Sequence, residues 1–325
     1  MRGLKRASLV GAALLLMGMA CGPVRAQSDY PNKVVRLVVG FPAGSSADIA
    51  ARAVAARMSQ GLGQQVIVEN RPGAGSSIAA EQSARADKDG YTLFMLSSAN
   101  ITNQAINPAL SFKVERDFAP IALVNTTAVI LVTHPSTGAK TLKDLIALAK
   151  SKPGELNYAS TGVGTAPHLS GELLAQRAGI KIQHVPYKGS PEAATDLLAG
   201  RVNMMFSPAS AVVAQVKQGG LDALATATDK RLGILPDLPT MEEAGMPDFS
   251  TSIWFGLVAP VGTPKPIIDK LAKATAEATA APEVARAWEP QGVIPLSGGP
   301  DVFGPYIASE IKRWDQVAAA AGLKK

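Results

Sequence analysis

Apolar runs of strand length alternate along this chain with alanine-rich or amphipathic stretches of helix length. Residues 34–41 are apolar except for Arg36, the pattern of a strand covered on both faces. Residues 49–62 follow with helical spacing and stop at Gly61 and Gly63. The same reading predicts strands at 66–69, 91–96, 156–160, 181–186, 202–206, 221–227 and 254–260, and one or two strands over 121–133. It predicts helices at 77–86, 141–150 with Thr141 as cap, 168–178, 191–199 with Ser190 as N-cap and Pro191 in first position, 264–280 and 300–320. Residues 240–245 read as a short helical turn, and the polar segment from Ser97 to Asn100 as a loop. Strands alternating with helices argue for an α/β protein with largely parallel sheets.

The first 26 residues stand apart. Arg2, Lys5 and Arg6 precede an apolar run from 7 to 21 that is too short to span a bilayer. Val24-Arg25-Ala26 is a small-residue cleavage site with Gln27 as the mature start. This is the pattern of a cleavable secretory signal. A membrane anchor is disfavoured because no stop-transfer pattern follows. Lipidation of Cys21 is disfavoured because Gly18 stands where a large aliphatic residue belongs.

Losing the four basic residues of this leader takes the formal charge from +6 to +2, so the high pI is partly a leader effect and gives no case for nucleic acid. Cys21 is the one cysteine, so the mature chain has no disulfide, thiolate nucleophile or cysteine metal ligand. A cysteine-free secreted protein suits a bacterial periplasm, and the remaining 299 of 325 residues suffice for two cored domains.

Two strand–loop–helix units carry matching glycine- and hydroxyl-rich loops. In the first, Phe41-Pro42-Ala43-Gly44-Ser45-Ser46 leads to a helix near Asp48. In the second, Thr161-Gly162-Val163-Gly164-Thr165 leads to a helix near His168. Gly44, Gly162 and Gly164 let backbone approach a ligand closely. Ser45, Ser46, Thr161 and Thr165 supply hydroxyls. Each helix start directs N–H groups and a positive dipole end at what lies above it. Asp48 would repel a carboxylate unless it turned aside to bond backbone N–H groups or Arg52. His168 is a candidate donor to a carboxylate, Tyr187 a candidate cover, and Lys188 a surface residue. Ser97, Ser98 and Ser207 follow the C-terminal ends of strands, where open α/β sheets bind ligands. Trp254 and Phe255 are expected to pack between lobes.

Signatures of catalysis are missing. There is no G-x-S-x-G elbow and no P-loop, and Pro167 stands where a dinucleotide fingerprint needs its third glycine. His134, His168 and His184 lack the spacing of a zinc motif. No enzyme activity, cofactor or metal is therefore expected.

Several segments together resemble one family. They are Phe41-Pro42-Ala43-Gly44 with Asp48 and Arg52, the segment from Glu69 to Ala74, Tyr158-Ala159-Ser160-Thr161-Gly162 with His168-Leu169, Pro186-Tyr187-Lys188-Gly189, the segment from Leu235 to Thr240, and Trp254-Phe255-Gly256-Leu257 through Ala259-Pro260. The chain resembles the extracytoplasmic solute receptors of tripartite tricarboxylate transporters, also called Bug receptors.

The resemblance implies a two-lobed, type II periplasmic binding protein fold of the Venus-flytrap kind. Lobe 1 is then 27–127 with 252–325, and lobe 2 is 128–251, joined by two hinge crossings. It implies a monomer that binds a small carboxylate, a dicarboxylate or an aromatic acid, and passes it to membrane transporter subunits made of other chains. Ligand contacts would fall on Phe41, Ala43, Gly44, Ser45, Ser46 and Asp48, and on Thr161, Gly164, Thr165 and His168. Two departures bear on the cleft: Ser45-Ser46-Ala47 where the family commonly has more glycine and a threonine, and Ser207 where an aspartate often stands. A sensing module for a membrane kinase, and a secreted hydrolase, are the alternative readings.

Overall fold

The computed structural model describes residues 30–320, so the leader, Gln27 and Cys21 lie outside the described residues. The chain divides into residues 1–32 and 33–325. Of the first unit, residues 30–32 are described and form a bent stretch without helix or strand. The second carries all the helices and strands described.

Its strands are β1 (Val35–Val39), β2 (Val66–Asn70), β3 (Thr92–Ser97), β4 (Phe118–Thr133), β5 (Asn157–Ser160), β6 (Gln183–Pro186), β7 (Met204–Pro208), β8 (Asp222–Thr226), β9 (Ser252–Pro260) and β10 (Val293–Pro295). Its helices are α1 (Ser46–Leu62), α2 (Ser77–Ala84), α3 (Ser98–Ile106), α4 (Val114–Asp117), α5 (Leu142–Ser151), α6 (Ala166–Ala178), α7 (Ser190–Leu198), α8 (Ala209–Lys217), α9 (Lys265–Thr279), α10 (Pro282–Trp288) and α11 (Pro300–Ala320).

The strands join in the order β2-β1-β3-β9-β4-β7-β5-β6, with β8 and β10 also on β4. The expectation of largely parallel sheets needs correction. β1 is parallel to β2 and β3, and β5 to β6 and β7, but β9 and β4 are antiparallel to their neighbours. The parallel pairs are those with crossover helices between them. The antiparallel strands are the long returns that join one half of the sheet to the other.

β4 is one continuous strand rather than two. Its first part pairs with β9 from Phe118 to Ala128, and its last part pairs with β7 from Val129 to Thr133. Two apolar cores lie on either side of this change of partner. One gathers Val38, Phe94, Leu96, Trp254, Val258 and Phe303. The other gathers Ile130, Val132, Leu197, Val202, Met205 and Val212. Trp254 belongs to the first, edge-on to Phe303 and Tyr306 and donating from Nε1 to Glu310 at 3.0 Å. It therefore packs within one core rather than between lobes.

The segment from Ser97 to Asn100, read as a loop, begins α3. The Asn100 carboxamide oxygen accepts from the Ser97 backbone N–H and hydroxyl, each at 3.0 Å. That reciprocal closure at the first turn overrides the weak helix propensity of a Ser/Asn/Thr-rich stretch.

Candidate functional site

The first loop is held by Asp48. Its carboxylate is 3 % exposed and accepts from the Gly44 N–H, Arg52 Nε and Asn70 Nδ2, each at 2.9 Å. Burial alone would raise this carboxyl; the bonds from Arg52, Gly44 and Asn70 outweigh burial and hold it below the ordinary aspartate range. Asp48 thus turns its carboxylate into the loop and pins it, and it is not among the residues that line the cavity described below. Ser45, not Ser46, is the N-cap of α1, its Oγ accepting from the Asp48 N–H at 3.3 Å.

The second loop is braced differently. Ser160 Oγ accepts from the Gly162 N–H at 3.1 Å and lies 2.6 Å from His184 Nε2. Thr165 Oγ1 donates to the Gly162 carbonyl at 2.7 Å rather than capping α6. The Gly164 N–H donates to His168 Nδ1 at 3.3 Å, and the His168 ring lies 4.2 Å from that of His184. His168 therefore supports the loop from behind.

Burial, and then the neighbouring His168, push His184 down to about 4. An unfolded histidine titrates near 6.5, so between about pH 6.5 and 4 the unfolded chain holds a proton that the folded one does not. Stability is expected to fall as pH drops through this window. The urea midpoint measured against pH should show that slope, and His184→Gln should flatten it; an unchanged slope would refute the assignment.

Both loops open on one small cavity. Phe41, Ser45 and Ser46 line it from the first loop, Ser97 and Ser98 from the start of α3, and Thr161 and Thr165 from the second loop. Of the other predicted contacts, Ala43, Gly44, Gly162, Gly164 and His168 shape or brace the loops without lining the cavity. Tyr187 packs against the second core and does not line the cavity; its hydroxyl donates to Asp196 at 2.7 Å, and burial followed by that bond pushes it up to about 12. Ser207 gives its hydroxyl to the adjacent Pro208 carbonyl at 3.1 Å.

The sequence reading missed Ala99, Ala166, Pro167, Ser190, Pro208, Ile253 and Phe255 in the wall. Proline at a helix start was the available signal for three of them. Phe255 was assigned to packing but faces the cavity from β9, paired in register with Ser97.

The wall therefore gathers the N-terminal ends of five helices: α1, α3, α6, α7 and α8. No charged side chain lines it among the described residues. First-turn N–H groups have no intrahelical partner, and each helix end contributes about 0.3–1 kcal/mol toward an anion, more when shielded from water. The rest of the lining, including Phe41, Pro167, Pro208, Ile253 and Phe255, is apolar. Such a cavity suits a small anion with a hydrocarbon body.

The two halves meet around it. The Thr102 hydroxyl donates to the Gly164 carbonyl, and Asn103 Nδ2 donates to the Gly75 carbonyl at 3.1 Å. Gly75 in turn lies against Gly162, and Pro42 against Gly189.

A model of the tripartite tricarboxylate transporter family receptor matches residues 50–323. Protein BugT of Bordetella pertussis (strain Tohama I) is 37 % identical over 319 residues, 98 % of this chain and 97 % of that protein. The structure of periplasmic binding protein BugD is similar at a TM-score of 0.88 and 32 % identity, covering 91 % of this chain and 100 % of that one. MatC from Rhodopseudomonas palustris with bound malate is similar at a TM-score of 0.85 and 32 % identity, covering 89 % of this chain and 99 % of that one.

Proposed function

The chain belongs to the tripartite tricarboxylate transporter receptor family and has its two-lobed periplasmic binding protein fold, and on that premise we propose a receptor for a small carboxylate that carries no ammonium group. It closes its lobes over the acid in the periplasm and hands it to transporter subunits made of other chains. It binds the acid without transforming it.

The observation that carries this reading is the convergence of five helix N-termini on a cavity with no charged side chain in its wall. Backbone N–H groups and hydroxyls can hold a carboxylate through charge-assisted bonds. An amino acid would bring an ammonium group with no carboxylate to receive it, because Asp48 is committed to Gly44, Arg52 and Asn70. Malate in MatC is an acid of this kind. The change of β4 partner between Ala128 and Val129, with one core on each side, supports lobes of 27–127 with 252–325 and of 128–251.

Micromolar affinity requires about −8 kcal/mol, within reach of a few charge-assisted bonds and cleft closure. Ligand at about a hundred times its Kd would stabilise the native state by about 2.7 kcal/mol. The melting temperature is expected to rise with one or more of succinate, malate, adipate and benzoate, and to stay unmoved by aspartate. A flat response to all four acids would end the carboxylate reading, and a response to aspartate above that to succinate would end the restriction to ammonium-free acids.

A further inference from the structure

We infer that Ser190 is a specificity-determining residue, its hydroxyl donating to the second carboxylate of a diacid. The inference rests on the carboxylate reading above. Ser190 was expected to cap α7, but Gly189 holds the cap position and Ser190 lies inside the first turn. Its side chain is 1 % exposed and lines the cavity, and its Oγ has no hydrogen-bond partner. Of the buried side-chain polar atoms that lack a partner, it is the one that faces this cavity, among the described residues.

Most other donors near Ser190 are engaged within the fold, while Thr161 stays available beside it. Thr165 Oγ1 gives its proton to the Gly162 carbonyl, the Gly164 N–H goes to His168, the Tyr187 hydroxyl goes to Asp196, and Pro167 has no N–H. Thr161 keeps a little exposure, at 6 %. The first turn of α1 lines the same cavity and offers its own N–H groups and the Ser46 hydroxyl. An acid held there by one carboxylate leaves Ser190, at the positive end of α7, as the donor for its second carboxylate. A buried hydroxyl without a partner weakens the fold that contains it. A ligand oxygen that accepts from Ser190 removes that penalty in the closed, occupied state.

The test is calorimetric titration of the wild-type chain and Ser190→Ala with succinate and butyrate, which share a carbon count and differ by one carboxyl. Adipate and hexanoate replace them where the wild type binds the longer acids more tightly. Wild type is expected to prefer the diacid, and Ser190→Ala to lose about tenfold in diacid affinity with the monoacid unchanged. The ligand-free melting temperature of the variant should equal or exceed that of wild type, because a methyl group replaces an unpaired hydroxyl. A purely structural serine predicts the opposite: a lower melting temperature with both acids weakened alike. That result, or unchanged diacid affinity, would overturn the assignment while leaving the receptor reading in place. Wild type that binds neither acid of either pair would overturn the assignment, and the receptor reading falls with it only if malate and benzoate also fail to bind.

Discussion

Gly164→Ala is expected to weaken carboxylate binding about a hundredfold while leaving a folded protein. Gly164 has φ +78°, where a Cβ costs about 1–2 kcal/mol. That Cβ would also overlap the Asn103 carboxamide and come within 3.1 Å of Ile106 Cδ1. Both neighbours sit on α3, on the far side of the cleft, so this part of the penalty exists only when the halves are together. A ligand that binds the closed form must then work against it. A hundredfold loss corresponds to about 2.7 kcal/mol, reasonable for a clash against two packed side chains.

Gly179→Ala is the control. Its φ is +61°, but nothing lies within 4 Å of the added Cβ, so it should lower stability and spare affinity. Calorimetric titration with the tightest acid of the panel decides the matter; a Gly164→Ala affinity within threefold of wild type would mean that this contact does not govern closure.

Asp48→Ala carries the second large effect, an expected loss of about 2–4 kcal/mol in urea unfolding together with a loss of ligand affinity. Little of this comes from the ion pair with Arg52, whose side chain is 54 % exposed and well screened. Most comes from the Gly44 N–H and the Asn70 amide, which lose their acceptor. The first loop then no longer holds Ser45 and Ser46 against the cavity. In wild type the carboxylate's contribution is present above the ordinary aspartate pKa of about 3.9 and is lost as pH falls through its lower native value. Asp48→Asn keeps the shape but turns an amide donor toward the other donors, so it should recover only part of the loss. A loss below about 0.5 kcal/mol for Asp48→Ala would show that the loop holds its form without this anchor.

The sequence made the two principal loops legible because backbone freedom and helix-start chemistry are local. Gly44, Gly162 and Gly164 all adopt positive φ, as glycine there suggests. What it concealed were contributions assembled from a distance. Ser190 looked like a cap, and only the packing of α7 turns its hydroxyl into the cleft. Phe255 looked like core, and only its register against Ser97 brings it to the wall. α3 was hidden because Ser, Asn and Thr favour loops locally, and its first turn depends on Asn100 reaching back to Ser97. α8 and α10 were missed because short helices on a sheet owe their stability to burial more than to propensity.

The position of β9 also bears on how the chain comes to be built. β9 lies between β3 and β4, pairing Phe94–Ser97 on one side and Phe118–Ala128 on the other. It begins at residue 252, more than 120 positions after the ladder it completes has left off. As the polypeptide emerges from its N-terminus, β5, β6 and β7 with their helices can assemble while β3 and β4 still present open apolar edges to any neighbour. The half that contains both the first and last elements is thus the one that must wait, and its sheet closes only after residue 260 has been delivered.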